Sequence, residues 1–317
     1  MGNYNRTPLN CVNDGIVLYY HPNSFYSQKI LFALFEKNIK FTAYEVDVTN
    51  GEQYSQWFLE LNPKGEVPVL QDGTLIVPES GRIISYIEDH YQGENIPNLL
   101  PKDLDRSVLE KVVFFHKKIS RIPIGAISMG SFIHTDLCSN PKPPFIGLTR
   151  SSFLQNDSKI SSVLEQYAGV NPIHAENLRI KAEFQEKKRA IYTNRDEFMI
   201  LVNAVDSVLS EIEAELEKNE STNAWLCCDQ ITIADISLAV LLQRLYSLGF
   251  EEYFWMQKRP HLRQYFSRIS ARESFKKSLP TTFSTMRAVW TNTPWMYKAG
   301  VAALSATIVI SGIIVKT

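Results

Sequence analysis

Residues 65–91, GEVPVLQDGTLIVPESGRIISYIEDHY, decide the fold. Val69-Leu70 and Leu75-Ile76-Val77 are short β-branched or apolar runs, and Gln71-Asp72-Gly73-Thr74 between them carries an Asp-Gly turn signal. That pattern predicts a β-hairpin. Pro68 opens the first strand, where its missing N–H costs no ladder bond, and its X-Pro linkage is a candidate for a cis bond. After the hairpin, Pro78-Glu79-Ser80-Gly81 leads into Ile83, Ile84, Ile87 and Tyr91 at helical spacing. An acidic residue and a hydroxyl therefore open this helix. Its unpaired N–H groups and the positive end of its dipole can receive a carboxylate ligand there.

Upstream, Ile16-Val17-Leu18-Tyr19-Tyr20 reads as a buried strand, and His21-Pro22-Asn23-Ser24 as a loop with a helix-start signal. Ile30, Leu31, Leu34 and Phe35 give the next helix its apolar face, ended by Lys37-Asn38. Phe41 to Asp47 alternates as a second strand, residues 52–61 form a short helix, and Asn62-Pro63-Lys64-Gly65 turns into the hairpin. A βαβ unit followed by ββα, carrying Val-Pro and Glu-Ser, resembles the thioredoxin-like N-terminal domain of the glutathione transferases. The resemblance implies that Val67 and Pro68 offer a backbone edge to the cysteinyl part of glutathione and that Glu79 and Ser80 hold its γ-glutamyl end. It places this α/β domain at 15–91, after a flexible N-terminus at 1–14, with 92–101 as linker.

From Asp103 onward no strand signal remains. Val108, Val112, Phe115 and Ile119 mark a helix. Residues 131–153 are rich in Pro, Ser and Asn, and Pro141-Lys142-Pro143-Pro144 reads as an exposed tether. Residues 158–168 and 175–193 look helical but strongly polar, and Lys187-Lys188-Arg189 in the second reads as a solvated face. Phe198, Leu201, Val205, Val208, Leu209, Ile212 and Leu216 form a long core-facing stripe. In WLCCDQITIADISLAVLLQRLYSLGF, residues 225–250, Thr232 and Asp235 have the spacing of a capping box, and Ile231 with Ile236 that of a hydrophobic staple. Their role is structural. The block resembles the capped core helix of the all-α glutathione transferase C-terminal domain, here 103–280 with an inserted segment at 135–195.

The chain has 317 residues, 44% hydrophobic and 21% charged, enough for two domains with cores. A net charge of -1 gives no electrostatic case for nucleic acid. Cys11, Cys138, Cys227 and Cys228 have neither zinc nor disulfide-framework spacing, so no metal is expected. No secretory signal opens the chain, and Arg6 breaks the myristoylation pattern.

The tail differs from that of a soluble transferase. Ala299 to Val315 is an uncharged run of about 17 residues, near the length that spans a bilayer. Lys298 and Lys316 bracket it, Ala302 and Ala306 form a small-xxx-small pair, and Arg287 with Lys298 places the body on the cytosolic side. We read 299–315 as a transmembrane tail anchor. Residues 281–298, with Phe283, Met286, Trp290, Trp295 and Tyr297, read as an amphipathic juxtamembrane segment. A transferase-like body, a polar insertion and a single C-terminal span together resemble the ganglioside-induced differentiation-associated protein 1 family. The matching stretches are LYYHPNSFYSQKILFAL, FLELNPKGEVPVL, the helix around 175–193, WLCCDQITIADISLAV and the tail. The resemblance implies a mitochondrial outer-membrane protein that influences fission, network shape and redox balance, with the peroxisomal membrane as a second address. It leaves a homodimer open and names no protein partner.

For chemistry, a hydroxyl near the first helix N-terminus can donate to the sulfur of glutathione. Ser24 matches the catalytic serine of the zeta- and theta-like enzymes, with Tyr26 and Ser27 as near alternatives and helix capping as its other role. Tyr19 and Tyr20 are assigned to packing. Glu66 stands against binding. Related enzymes place Lys or Gln before Val-Pro, facing the glycyl carboxylate. A carboxylate there repels by about 1 kcal/mol at 4 Å in water, so the exchange costs roughly tenfold to a hundredfold in affinity. Lys64 compensates only if its loop turns it inward. Two readings follow: a membrane-tethered module with weak or no turnover, and a working glutathione transferase or glutathione-dependent reductase acting on hydrophobic electrophiles.

Overall fold

The computed structural model describes residues 15–102, 104–218, 224–293 and 298. Both the flexible segment expected at 1–14 and the anchor expected at 299–315 lie outside them, as do Trp295 and Tyr297.

The first strand, β1 (Ile16–Tyr20), is apolar on both sides because the sheet is covered on both faces. It pairs in parallel with β2 (Phe41–Glu45) and antiparallel with β3 (Val69–Asp72), which pairs antiparallel with β4 (Leu75–Pro78). The order β2-β1-β3-β4 is a mixed four-stranded sheet. Ile16 and Leu18 face the cluster built from α1 (Phe25–Glu36) and α3 (Ser80–His90). Val17 and Tyr19 face the other way, onto Trp57 and Phe58 of α2 (Gln56–Leu61). The stretch expected as one helix over 52–61 is split. A single 3-10 turn at Glu52–Tyr54 ends at Ser55, whose extended backbone (φ -68°, ψ 153°) interrupts the winding before α2.

The remainder is helical. The elements are α4 (Arg106–Ser120), α5 (Ile124–Ile133), α6 (Gly147–Val170), α7 (Ala175–Thr193), α8 (Arg195–Glu217), α9 (Ile233–Leu248), α10 (Pro260–Ala271), α11 (Glu273–Ser278) and α12 (Thr282–Asn292). Buried α9 is the central post. Its capping box is present, with the Thr232 N–H donating to Asp235 Oδ2 at 2.9 Å. Asp235 Oδ1 also accepts from the Leu226 amide (2.8 Å) and the Tyr265 hydroxyl (3.0 Å), tying α9 to α10.

Pro141–Pro144 is not an exposed tether. The Ser139 amide donates to Gly249 O (3.0 Å) and the Lys142 amide to Ser247 O (2.9 Å), so the segment satisfies carbonyls at the end of α9. Pro144 is buried, and Phe145 sits 5.9 Å from Phe132 and 6.0 Å from Phe153, ring centre to ring centre. The sequence reading also missed α5. This helix is rich in Gly and Ser and mostly buried, and its exposed residues include Ile133, so it has no clear amphipathic period. A Cβ at Gly130 would stand 2.1 Å from the Phe198 ring, so glycine is what lets α5 pack on α8.

The polar helices α6 and α7 pair with each other and fold back onto the α/β domain. Tyr167 and Leu164 of α6 and Leu178 and Ala182 of α7 share a small core with Tyr54 and Leu59. This contact positions the site.

Candidate functional site

Ser24, Val67, Pro68, Glu79 and Ser80, predicted from separate stretches, all line one cavity of about 1160 Å³ between the two domains. Its other wall comes from α5, α6 and α7, where Phe132, Phe153, Ile160 and Phe184 alternate with polar side chains such as Asn156 and Lys188.

Ser24 is the N-cap of α1: its Oγ accepts from the Ser27 amide at 3.3 Å. The Ser24 hydroxyl hydrogen has no acceptor among the described residues, so capping leaves it free to donate into the cavity. The two roles are compatible. Tyr26 also lines the cavity, and burial raises its phenol pKa. Ser27 is fully buried and accepts from the His21 amide at 3.3 Å. Tyr19 is buried too and donates to Gln71 at 2.9 Å, as its assignment to packing requires.

The Val67–Pro68 bond is cis. Gly65 precedes it at φ +58°, where a Cβ would stand 2.8 Å from the Tyr54 ring, so the chain can turn here only with glycine. Asn62 Nδ2 clamps the loop by donating to Glu66 O at 2.8 Å. Val67 makes no backbone hydrogen bond among the described residues, which leaves a strand-like edge facing the cavity. An extended peptide can pair with such an edge.

Glu79 caps α3 with φ 72° and ψ 121°, a region costly for any residue with a side chain. Strain of this kind, on the order of 1–3 kcal/mol, persists where surrounding structure imposes it and clusters at binding sites. Nothing in the sequence signals it. Ser80 follows at the first position of α3, where the amides lack intrahelical partners.

Glu66 is not left as a lone repelling charge. Lys181 of α7 places its Nζ 2.6 Å from Glu66 Oε1 and 2.9 Å from Lys64 O, so the pair is neutral. Lys64 meanwhile reaches Glu79 Oε1 at 2.5 Å rather than Glu66. Sequence reasoning missed Lys181 because it lies 115 residues away, on a helix whose charges read as solvated.

The remaining charges of the lining sort by partner. Glu45 pairs with Arg287 of α12, Asp47 accepts from Asn50 at 2.7 Å, and Asp157 accepts from Tyr192. Burial holds His21 neutral, its pKa lowered to about 4, and lowers that of Lys188. No cluster of His, Cys, Asp or Glu among the described residues has the arrangement of a metal site.

A four-stranded mixed sheet, a cis-proline bond before β3 and an all-helical second domain make up a glutathione transferase-like fold. Models of the glutathione S-transferase N-terminal domain and C-terminal domain match residues 18–95 and 175–273, together more than half of the chain. The chain belongs to the glutathione transferase family. It is 26% identical over 296 residues to the ganglioside-induced differentiation-associated protein 1-like 1 of Homo sapiens, covering 88% of this chain and 78% of that one. The resemblance to that protein's family read from the sequence is thereby borne out. The glutathione S-transferase TCHQD of Arabidopsis thaliana is 25% identical over 284 residues, covering 88% of this chain and 96% of that one. Among solved structures, the beta-etherase LigF from Sphingobium sp. strain SYK-6 superposes with a TM-score of 0.63 at 23% identity, covering 84% of this chain and 98% of that one.

Proposed function

We propose that this chain is a glutathione-binding member of the family, tethered to the cytosolic face of the mitochondrial outer membrane by residues 299–315. There it acts on network dynamics, fission and redox state with weak or no transferase turnover. One observation carries the glutathione reading: Ser24, Val67, Pro68, Glu79 and Ser80 converge on one cavity. The neutral Glu66–Lys181 pair adds support by removing the charge conflict expected from Glu66 alone.

The tether is supported by the uncharged run 299–315 and by α12, which leads toward it. Phe283, Met286 and Trp290 lie on one face of α12 and are 75%, 66% and 51% exposed, while Ala288 and Asn292 on the opposite side line the cavity. No helix among the described residues is long and apolar enough to cross a membrane. The mitochondrial address and the effect on fission rest on the family resemblance, with the peroxisomal membrane as the other address. A homodimer is proposed on the same ground.

A second reading, an active transferase or glutathione-dependent reductase for hydrophobic electrophiles, is favoured by the free Ser24 hydroxyl hydrogen in a cavity that Phe132, Phe153 and Phe184 also line.

The test has three parts. Excess glutathione raises the unfolding midpoint of the full chain in detergent micelles, and Glu79→Ala removes the rise. Deleting residues 299–317 releases a fluorescent fusion from mitochondria. Turnover of a generic electrophile that vanishes in Ser24→Ala would move the assignment to the second reading. No glutathione stabilisation in wild type would overturn both.

A further inference from the structure

Arg244 of α9 stands at the cavity floor beside the α1 N-terminus. It is 9% exposed, and its Nη2 donates to the carbonyl of Asn23, the residue before Ser24, at 2.6 Å. Its guanidinium lies 5.1 Å from the Phe145 ring centre. No carboxylate of the described residues pairs with it. Glu66 and Glu79 have lysine partners and Arg287 has Glu45; among the described cations that line the cavity, the less buried Lys188 alone shares this lack of a carboxylate partner. Burial lowers the Arg244 pKa only to about 10, so the group stays charged at neutral pH. Its field is felt on both sides of Ser24, at His21 and at Tyr26. A buried cation without a counter-charge is costly unless something anionic joins it.

We infer that Arg244 is the counter-charge for an anion carried by the cavity ligand at Ser24, and that this anion is the glutathione thiolate. The inference rests on the glutathione reading above. On binding, the thiol gives its proton to bulk water and the sulfur keeps the bonding pair. The Ser24 hydroxyl donates to the sulfur, and Arg244 with the positive end of α1 stabilises the charge. The α-domain thereby supplies a full charge beside Ser24, where the sequence offered only a hydroxyl and the end of a helix dipole.

The experiment is a pH titration of thiolate absorbance for glutathione bound to the full chain in detergent micelles. In wild type the bound thiol ionises at least about 1 pH unit below free glutathione, and Arg244→Met moves it back up by about 1 to 2 pH units. Arg244→Lys keeps most of the effect. S-methylglutathione, which has no ionisable thiol, binds wild type and Arg244→Met alike. If S-methylglutathione also weakens in Arg244→Met, the arginine holds a carboxylate of the ligand and the thiolate assignment is wrong. Unshifted ionisation in wild type overturns the inference without any variant, even should Arg244→Met fail to fold. Glutathione that does not bind wild type at all overturns the reading beneath it, and the inference falls with it.

Discussion

At Ser24 one oxygen accepts the Ser27 amide and also lines the cavity, so alanine there removes a helix cap as well as a donor. Ser24→Ala therefore lowers stability by about 1 kcal/mol, read as a fall in the urea midpoint, and separately raises the ionisation pH of bound glutathione. A stability loss with unchanged thiol ionisation would leave capping as its only role. His116 and His21 give a second prediction at this scale. Burial lowers both from 6.5 to about 4; His116 bonds Ser237 Oγ at 2.9 Å, and Lys29 adds repulsion. Above the unfolded value neither state binds the proton. Below it the unfolded chain gains protons that the folded chain refuses, so stability falls as pH drops from 6.5 toward 4, by at most about 3 kcal/mol for each histidine. Urea midpoints across that window decline in wild type and decline less in His116→Asn; equal slopes would contradict the assignment.

Among the elements, the α6–α7 hairpin matters most for the site, because α7 brings Lys181 to Glu66. Lys181→Glu places two carboxylates together and weakens glutathione binding roughly tenfold to a hundredfold. Combining it with Glu66→Lys restores the pair and most of the affinity. Calorimetric dissociation constants for wild type and the two variants decide this, and an unaffected Lys181→Glu would show that the pair lies outside the binding field. What was legible in the sequence followed local periodicity. The hairpin at 69–78 has two short apolar runs with a turn dipeptide between them, and Thr232 with Asp235 sits three apart ahead of an apolar run. What escaped depended on contacts distant in sequence or on backbone angles. Lys181 reaches across 115 residues, Pro144 is buried through Phe145 and its neighbours, and Glu79 is strained by geometry that residue type does not encode. Helix α5 escaped for the opposite reason: with Gly and Ser among its buried residues and Ile133 on its exposed side, it leaves no polar-apolar stripe to read.

For the molecule as a whole, the cavity exists only because two domains are held in register. Lys37 and Glu88 form a buried pair at 2.8 Å, 2% and 4% exposed, and Lys37 also donates to Pro97 O. Glu88 accepts the amides of Leu99 and Leu100, both at 3.1 Å, while Leu99 O receives the Ile233 amide at the start of α9. On the far side, Arg272 of the helical domain pairs with buried Glu36 of α1. Lys37→Met would strand the Glu88 charge and cost about 3–5 kcal/mol, seen as a lowered unfolding midpoint, whereas a change below about 1 kcal/mol would mean that this pair does not hold the domains together. The central claim, that this interdomain cavity binds glutathione, is tested most directly by titrating glutathione into the full chain in detergent micelles by isothermal calorimetry. The account predicts one saturable site of micromolar to low-millimolar affinity that Glu79→Ala weakens; wild type that shows no saturable binding would contradict it.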